Sequence, residues 1–313
     1  MDAPEHSRLR KLMNQGFYPA AIELLRPQVN AIVDRVIDSI GNASEIDIMS
    51  TIAHPLPVIV IGELLGGAET TYRQLCEWSD AIAQFFGNPR STIVQTAAAQ
   101  DAVFNLTEHF RQIVAKRRRD KGSDLISLLL DIEADGEVLS EDELYAQCTM
   151  LLFAGHETTR NLIGNGIYSL LQHPYQRETL RQDPDLIRSS VEELLRYESP
   201  VQYLARTAKE EIEICGVRIE PGNTIMIMLA AANRDPDRFE NPDRLDLRRV
   251  NNPHLAFGGG PHFCIGNQLA RLQGQTSILR MVQKFPGMQL TNETPSRVAN
   301  NAFRGFKALP IYL

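Results

Sequence analysis

Apolar positions recur at helical spacing along the first part of the chain. From Glu5 to about Asp131 this pattern predicts several amphipathic helices that pack together. Short runs of glycine, proline and asparagine separate the helices and predict turns, because these residues interrupt regular structure. The runs are Gly16, Pro27, Gly41-Asn42, Gly66-Gly67, Asn88-Pro89 and Gly122.

The next apolar stretch predicts one unusually long helix. A turn at Asp135-Gly136 precedes Ser140, and Glu143 follows three residues later, which is the spacing of a capping box. No stop signal appears before His173-Pro174, so the helix would run for about 33 residues, close to 50 Å at about 1.5 Å per residue. We expect a helix of this length to cross the whole domain as its central element.

Beyond this helix the pattern becomes mixed. A second helix is predicted from Pro184 to Arg196, and the alternation in Glu211 to Ile214, followed by the turn residues Pro221 to Asn223, predicts short strands. Asn233 to Pro253 has no periodicity and predicts a long irregular loop. The predicted fold class is mainly α with smaller β-sheets (α+β), in one domain that covers residues 1–313.

Composition narrows the class of protein. The chain has 313 residues, 43% of them hydrophobic, and a net charge of −7, so it can bury a large core. The acidic balance disfavours nucleic acid as a partner, and the one basic run, Lys116 to Arg119, is interpreted as a solvated helix end. The apolar stretches are too short for a signal peptide or a membrane span, which predicts no membrane partner and a cytoplasmic location.

One cysteine has distinctive surroundings. Cys264 lies in Phe-Gly-Gly-Gly-Pro-His-Phe-Cys-Ile-Gly, residues 257–266, whose glycines would let a flat macrocycle approach the sulfur. Apolar residues from Leu269 to Val282 predict a helix directly after this loop. The positive end of that helix is expected to lower the pKa of the thiol and favour a metal-binding thiolate. The alternative interpretation is a buried structural cysteine in a glycine-rich turn.

With Phe257, Gly260, His262, Cys264 and Gly266 at this spacing, the segment resembles the haem-binding loop of the cytochrome P-450 superfamily in its soluble bacterial form. The resemblance extends over essentially the whole chain. It implies the cytochrome P-450 fold and a haem b whose axial metal ligand is the Cys264 thiolate. It also implies a monooxygenase that inserts one oxygen atom of O₂ into a hydrophobic small molecule, with Phe257, His262 and Gly266 among the cofactor-binding residues.

A second segment lies in the middle of the long helix. It reads Ala-Gly-His-Glu-Thr-Thr from Ala154, where helix propensity would favour alanine or leucine instead of glycine and threonine. Alone, a helix contact that needs small residues explains it as well as a ligand site does. Beside the cysteine loop it resembles the superfamily's oxygen-activation motif. This implies that Glu157 and Thr158 are catalytic and supply protons for dioxygen activation, and that Ala154 leaves room for the haem.

A third segment resembles the family's Glu-x-x-Arg motif, a structural lock on the haem side, although such a pair taken alone is more often an exposed ion pair on a helix surface. Glu193 and Arg196 lie three residues apart, which places both side chains on one helix face. In the family an arginine from the irregular loop joins them. Arg249 occupies the matching place, and a shift of register would put Arg248 there instead. The resemblance implies that these residues support folding and haem retention.

Haem carries two propionates, which require cations or hydrogen-bond donors. Four residues match the family's propionate donors: His6, Arg10, Arg206 and His262. Each of them, taken singly, is equally an ordinary surface charge.

Seven positions resemble the family's pocket-lining places: Met150, Phe153, Ala154, Gln202, Leu204, Ala302 and Phe303. Most of these side chains are apolar, which predicts a hydrophobic substrate. A stripe of apolar residues is also what a helix presents to a protein core, so the pattern does not separate pocket from core.

The chain has no glycine-rich dinucleotide or flavin motif, so electrons are expected from a ferredoxin-type or flavodoxin-type donor with its reductase. Arg8, Lys11 and Arg271 are the cations expected near its docking surface. Oxygenation driven by peroxide is an alternative, which the acid and alcohol at Glu157 and Thr158 disfavour.

The resemblance begins abruptly, because Met1 to His6 match a segment that lies well inside the family's proteins. An upstream portion is therefore expected to be absent. A start codon assigned too late, a truncated gene and a short form completed by a partner each account for this. The alternative function is accordingly a truncated, catalytically inactive haem-binding remnant.

Overall fold

The structure is a computed structural model that describes residues 1–67, 72–88, 90–134 and 139–313; the side chains of residues 132–134 are not among those described. The turn predicted at Asp135-Gly136, and the proline of the turn at Asn88-Pro89, lie outside the described residues. Within the described part the polypeptide is mainly helical with small sheets. The predicted fold class is confirmed.

Twelve α-helices are present in the described residues, numbered in chain order: α1 (Glu5–Phe17), α2 (Pro19–Leu24), α3 (Arg26–Asp38), α4 (Pro55–Leu64), α5 (Tyr72–Phe86), α6 (Ile93–Arg117), α7 (Leu125–Ala134), α8 (Glu141–Gln172), α9 (Pro174–Gln182), α10 (Ile187–Tyr197), α11 (Leu229–Ala232) and α12 (Asn267–Lys284). A π-helix at Met49–Ala53 and two 3₁₀ turns, at Pro184–Leu186 and Gly260–His262, complete the helical elements described.

Nine short strands accompany them in the described residues: β1 (Glu45–Asp47), β2 (Leu204–Thr207), β3 (Ile212–Ile214), β4 (Val217–Ile219), β5 (Thr224–Ile227), β6 (Gln289–Leu290), β7 (Ser296–Arg297), β8 (Phe306–Ala308) and β9 (Pro310–Tyr312). Strand β9 lies between β1 and β6, and the other sheets are the pairs β2 with β5, β3 with β4 and β7 with β8. All of these pairings are antiparallel.

Helix α8 is the central element, as predicted. It has 32 residues, about 48 Å at about 1.5 Å per residue, and it contacts α4, α5, α6, α10 and α12. The capping box at its start is formed in both directions, with Glu143 N–H donating to Ser140 Oγ at 3.2 Å and Ser140 N–H donating to Glu143 Oε2 at 2.9 Å. Leu152, Ile163 and Leu170 are fully buried along its length.

Gly166 lets α8 approach two neighbouring helices at one point. A Cβ atom placed there would lie 2.8 Å from Ile278 Cδ1 on α12 and 3.3 Å from Leu194 Cδ1 on α10. These separations are too short for a side chain without displacing its neighbours. Because Gly166 has no side chain, α12, which follows the cysteine loop, and α10, which carries Glu193 and Arg196, can pack closely against α8.

Two elements differ from the sequence prediction. Strand β1 has only three residues, and its partner is distant in sequence, with Glu45 opposite Tyr312. A period of two cannot be recognised over three residues, so the hydrophobic pattern did not predict it. The second predicted helix is also shorter than expected, because Pro184–Leu186 forms a 3₁₀ turn and α10 begins at Ile187.

Candidate functional site

The loop around Cys264 is held by its own backbone. The Cys264 N–H donates to the Phe257 carbonyl at 3.0 Å, and the Phe263 N–H donates to the Gly260 carbonyl at 3.0 Å. Gly258 and Gly260 have φ angles of 70° and 68°, a left-handed conformation that glycine adopts at little cost. The glycine-rich sequence is therefore required by the turn geometry that presents the cysteine.

The electrostatic surroundings of Cys264 differ from the prediction. Burial raises the pKa of its thiol, and this outweighs the opposing effects of the hydrogen bond from the Gly266 N–H and of the charges of Arg10 and Arg271. Helix α12 begins only at Asn267, after the cysteine. The prediction that the helix end lowers this pKa is wrong for the polypeptide alone, because desolvation of the sulfur dominates. A coordinated metal ion, which deprotonates a thiol ligand, would supply the missing stabilisation of the thiolate.

A cavity joins the cysteine loop to the middle of α8. Its volume is about 230 Å³, and its walls are mostly apolar. The residues from the loop are Phe257, Gly258, His262, Cys264, Ile265 and Gly266, and those from α8 include Met150, Leu151, Ala154, Gly155, Thr158 and Thr159. The sulfur and the predicted oxygen-activation segment therefore border the same space.

The walls near the sulfur suit a flat group. Gly266 lines the cavity, and a Cβ atom added there would meet nothing within 4 Å beyond its chain neighbours, so the backbone at this point adjoins open space. Where α8 lines the cavity, Ala154 and Gly155 add little or no side-chain volume. This shape, together with the cysteine, fits a haem held through a thiolate.

Three of the four predicted propionate donors lie together beside the loop. The His6 and His262 rings are 4.0 Å apart, and Arg10, one turn after His6 on α1, donates to the Phe263 carbonyl at 2.7 Å. The pKa of His6 is lowered, first by burial and then by the positive charges of His262 and Arg10. A cluster whose members repel one another in this way favours an anion between them.

Arg206 is not part of that cluster. It lies on β2, two residues after Leu204, and its guanidinium donates to the Ala205 carbonyl at 2.8 Å. Leu204 lines the cavity, so Arg206 lies on a strand that reaches the cavity wall. No contact joins it to His6, Arg10 or His262 in the part of the chain that the structure describes.

The two predicted catalytic residues have different surroundings. Thr158 lines the cavity, and its hydroxyl donates to the Ala154 carbonyl at 2.9 Å, which is the back-bonding expected of threonine in a helix. Glu157 is 2% exposed and does not line the cavity. It accepts hydrogen bonds from Asn161 Nδ2 at 3.0 Å and Arg160 Nη2 at 3.2 Å.

Glu157 belongs to a polar network that the sequence did not predict. Arg160 Nη1 donates to Asp80 Oδ1 on α5 at 2.6 Å, and Asp80 Oδ2 lies 3.0 Å from Nε2 of His54, the residue before α4. Only the spacing of Glu157 and Arg160 on one helix face was a signal in the sequence. The positions of Asp80 and His54 depend on the packing of α4 and α5 against α8.

A group of metal-ligand type adjoins this network. The ligand atoms of His54, Cys76 and His156 lie within 4.8 Å of one another. Both ring nitrogens of His156 have partners, however, at 2.8 Å from Ser79 Oγ and 3.2 Å from the His54 carbonyl. Burial lowers the pKa of His156 to about 3, so its ring is neutral. These contacts make the group a hydrogen-bonded part of the core.

The third predicted motif forms a buried ion-pair cluster. Arg196 donates to both oxygens of Glu193, at 2.8 and 2.9 Å, and both side chains are fully buried. Arg249 Nε donates to Glu193 Oε2 at 3.0 Å, whereas Arg248 contacts Asp183. The register that assigned Arg249 to this cluster is therefore the observed one.

The predicted pocket positions divide into two groups. Met150, Ala154 and Leu204 line the cavity. The other four, Phe153, Gln202, Ala302 and Phe303, are not among its lining residues. Phe153 packs between two other rings, stacked on Phe86 at 5.5 Å and edge-on to Phe303 at 6.3 Å. Sequence position alone could not separate a cavity wall from this aromatic row beside it.

Arg8 and Arg271, which are expected at a docking surface, are engaged in ion pairs. Arg8 pairs with Glu143 at the start of α8, and Arg271 donates to both oxygens of Glu192 at 2.7 and 2.9 Å. Arg271 also lies 4.4 Å above the Phe257 ring. Its position links α12 to the cysteine loop, which gives it a structural role in addition to its charge.

None of the described helices is both long enough and apolar enough to span a membrane.

Comparison with known proteins identifies the family. A family model described as Cytochrome P450 matches residues 1–298. The chain is 40% identical over 308 residues to the biotin biosynthesis cytochrome P450 of Bacillus subtilis (strain 168), covering 98% of this chain and 78% of that protein. It is 38% identical over 315 residues to the 6-deoxyerythronolide B hydroxylase of Saccharopolyspora erythraea, covering 100% of this chain and 76% of that protein.

Solved structures agree. The crystal structure of P450BioI in complex with an acyl carrier protein ligated to hexadec-9Z-enoic acid has a TM-score of 0.94 and 40% identity, covering 100% of this chain and 80% of that one. The family uses a haem with cysteine thiolate ligation, dioxygen and a redox partner. Because the similarity extends to proteins named hydroxylases and monooxygenases, it supports an enzyme and not an inactive remnant. The chain belongs to the cytochrome P450 family of haem-thiolate monooxygenases.

Proposed function

We propose that Cys264 is the axial ligand of a haem b that fills the cavity between its loop and α8. The observation that carries this proposal is that Cys264 of the loop and Ala154 and Thr158 of α8 border one cavity. Haem, when bound, supplies the redox chemistry with which the family activates dioxygen. Phe257 and Gly266 shape the loop on the sulfur side, and Ala154 leaves room on the α8 side.

His6, Arg10 and His262 are proposed to hold the propionates, together with Arg206. His6, Arg10 and His262 lie together at one edge of the cysteine loop and can each donate a hydrogen bond. Two carboxylates bound there would offset the repulsion between the positive charges of these residues. Arg206 would join them by reorienting its exposed side chain from the Ala205 carbonyl.

Thr158 and Glu157 are proposed to be the catalytic residues. Thr158 is at the cavity wall, where its hydroxyl can accept a hydrogen bond from a ligand while it donates to the Ala154 carbonyl, or donate to that ligand after rotating away from the carbonyl. Glu157 is one residue away but faces the interior network. We propose that Glu157 stores a proton and that Thr158 orients its delivery into the cavity.

The substrate is proposed to be a hydrophobic small molecule, in keeping with the apolar cavity walls. Electrons are proposed to come from a ferredoxin-type or flavodoxin-type protein, and the location is proposed to be the cytoplasm, which the four free cysteines favour. Residues 1–313 are proposed to act as a single haem domain, because one apolar cluster extends from Leu9 to Ile311.

A fatty acyl chain is a second, more specific candidate for the substrate. The similar P450BioI structure is described as a complex with an acyl carrier protein ligated to hexadec-9Z-enoic acid, and the apolar cavity walls of this chain suit an acyl chain. Titration with the free acid and with its carrier-bound form, followed by the shift of the haem Soret band, tests this. No shift with either form would exclude the candidate.

The first experiment is the carbon monoxide difference spectrum of the reduced protein. We expect a strongly red-shifted Soret band from thiolate ligation, which Cys264→Ser should abolish. Cys148→Ser is the matched control, because Cys148 is fully buried on α8 and does not line the cavity. A red-shifted band that persisted in Cys264→Ser would show that another residue is the ligand.

A further inference from the structure

Two carboxylates share one buried guanidinium beside the cavity. Arg160 Nη1 donates to Asp80 Oδ1 at 2.6 Å, and Nη2 lies 3.1 to 3.2 Å from the two oxygens of Glu157. The Arg160 side chain is 9% exposed, so solvent does little to screen this group. If both acids are ionised, the cluster carries an uncompensated negative charge in the interior.

The two acids are not equivalent. Asp80 is the closer one to Arg160, is 34% exposed and lies 3.0 Å from His54 Nε2. The Glu157 side chain is 3% exposed, and its Oε2 atom has no hydrogen bond of good geometry. The proton that relieves the excess charge should therefore settle on Glu157.

The pKa directions agree with this geometry. Burial alone would raise the pKa of Asp80, but the hydrogen bond with His54 and the charge of Arg160 outweigh it, so its pKa lies below the usual value. Burial raises the pKa of Glu157, and Arg160 and Asn161 oppose that effect without overcoming it.

We propose that Asp80, held by His54, balances the charge of Arg160 and thereby leaves Glu157 able to take up and release a proton. The inference rests on the proposed function, in which Glu157 supplies protons toward the cavity. Asp80 and His54 do not line the cavity and act through Arg160, so they are positioning residues. The assignment gives a role to a pair of residues on α5 and before α4 that lie outside the haem-binding loop.

The charged and titratable groups around the Glu157 carboxyl come from three elements. Arg160 is on α8 with the amide of Asn161, Asp80 is on α5, and His54 precedes α4. His156, the preceding residue, stays neutral because burial lowers its pKa to about 3. Among the described residues, Asp80 is the acid that contacts the same guanidinium.

The test measures the protonation of Glu157 directly. The infrared carbonyl stretch of a protonated carboxylic acid is followed against pH, and subtraction of the Glu157→Gln spectrum identifies the band. In Asp80→Asn the charge of Arg160 acts on Glu157 alone. The midpoint of the Glu157 titration, followed by this band, should therefore fall by about one pH unit or more. Asp34→Asn, which removes the surface partner of Arg280, is the control and should leave the midpoint unchanged.

An unchanged midpoint in Asp80→Asn would overturn the proposal. If that variant does not fold, Asp80→Ser, which leaves space for water, is measured in the same way and decides the question. The proposed function is tested separately by product formed per electron in Glu157→Gln. A midpoint that falls in Asp80→Asn, with unchanged product in Glu157→Gln, would support the charge balance and reject Glu157 as the proton source.

Discussion

Glu157 and Thr158 are consecutive residues on α8 whose side chains lie in separate environments. Thr158 borders the cavity, whereas Glu157 is directed to Arg160 and Asn161 in the interior. Successive residues of a helix point about 100° apart, so an acid followed by an alcohol places one group at the ligand and the other behind the wall. Proton delivery then requires Glu157 to change rotamer or a water molecule to bridge the two side chains.

Replacing Thr158 by alanine should uncouple turnover from product formation. The variant loses the hydroxyl at the cavity wall and the hydrogen bond to the Ala154 carbonyl, while the helix gains a residue of better propensity. We expect the protein to fold and bind haem normally but to release peroxide, with product per electron falling about 10-fold or more. Thr158→Ser, which keeps the hydroxyl, is the control, and equal coupling in Thr158→Ala and the parent enzyme would remove Thr158 from the mechanism.

Replacing Glu193 by glutamine should strongly destabilise the fold. The substitution leaves the fully buried Arg196 without its carboxylate partner and also weakens the contact to Arg249. Loss of one partner of a buried ion pair costs about 3–5 kcal/mol, measured as the free energy of unfolding in urea. Glu178→Gln, at an exposed pair on α9, should leave the urea midpoint unchanged. If the urea midpoint of Glu193→Gln were as high as that of Glu178→Gln, the Glu193–Arg196–Arg249 cluster would contribute little to stability.

His156 should make the protein sensitive to acid. Its pKa is lowered from 6.5 to about 3 by burial, so the unfolded chain binds a proton that the folded chain excludes. Stability from this group is therefore complete above pH 6.5 and is lost as the pH falls toward 3, at up to about 1.4 kcal/mol per pH unit. His156→Asn should unfold with a shallower pH dependence over this range. Parallel curves for the two proteins would show that His156 is protonated without unfolding.

Replacing Gly166 by alanine should destabilise the contact of α8 with α10 and α12. The new methyl group would lie 2.8 Å from Ile278 Cδ1 and 3.3 Å from Leu194 Cδ1. Both of these side chains are fully buried, so they must shift within a packed core, and overpacking of this kind costs about 1–3 kcal/mol. Gly62→Ala on α4 is the matched control, since its methyl group would meet Leu75 at an ordinary 3.8 Å and should gain from helix propensity. The melting temperatures of the two variants should move in opposite directions.

The sequence predicted those features that depend on local pattern. The span of α8, its Ser140 cap and the cysteine turn all follow from spacing and composition along a short stretch. The assignment of Arg249 to the Glu193 cluster followed from a family pattern. Features of this kind can be predicted because the order of residue types along a short stretch determines them directly.

Other features depend on packing between distant elements. His54 and Asp80 reach Glu157 only because α4 and α5 pack on α8, and no local signal marks them. The raised pKa of the Cys264 thiol likewise results from burial by the whole fold, which outweighs the helix end that the sequence does indicate. Burial is a property of the assembled structure, so it could not be predicted from the loop alone.

The sheet that contains β1 has a consequence for how the protein is made. Glu45 finds its partner, Tyr312, roughly 270 residues later, and loop closure over such a separation is slow compared with helix formation. While the ribosome is still translating the intervening helices, β1 has no strand to pair with, and its backbone donors and acceptors are available to other chains. Yield in a cell should therefore respond to chaperone supply during synthesis even when the finished protein is stable.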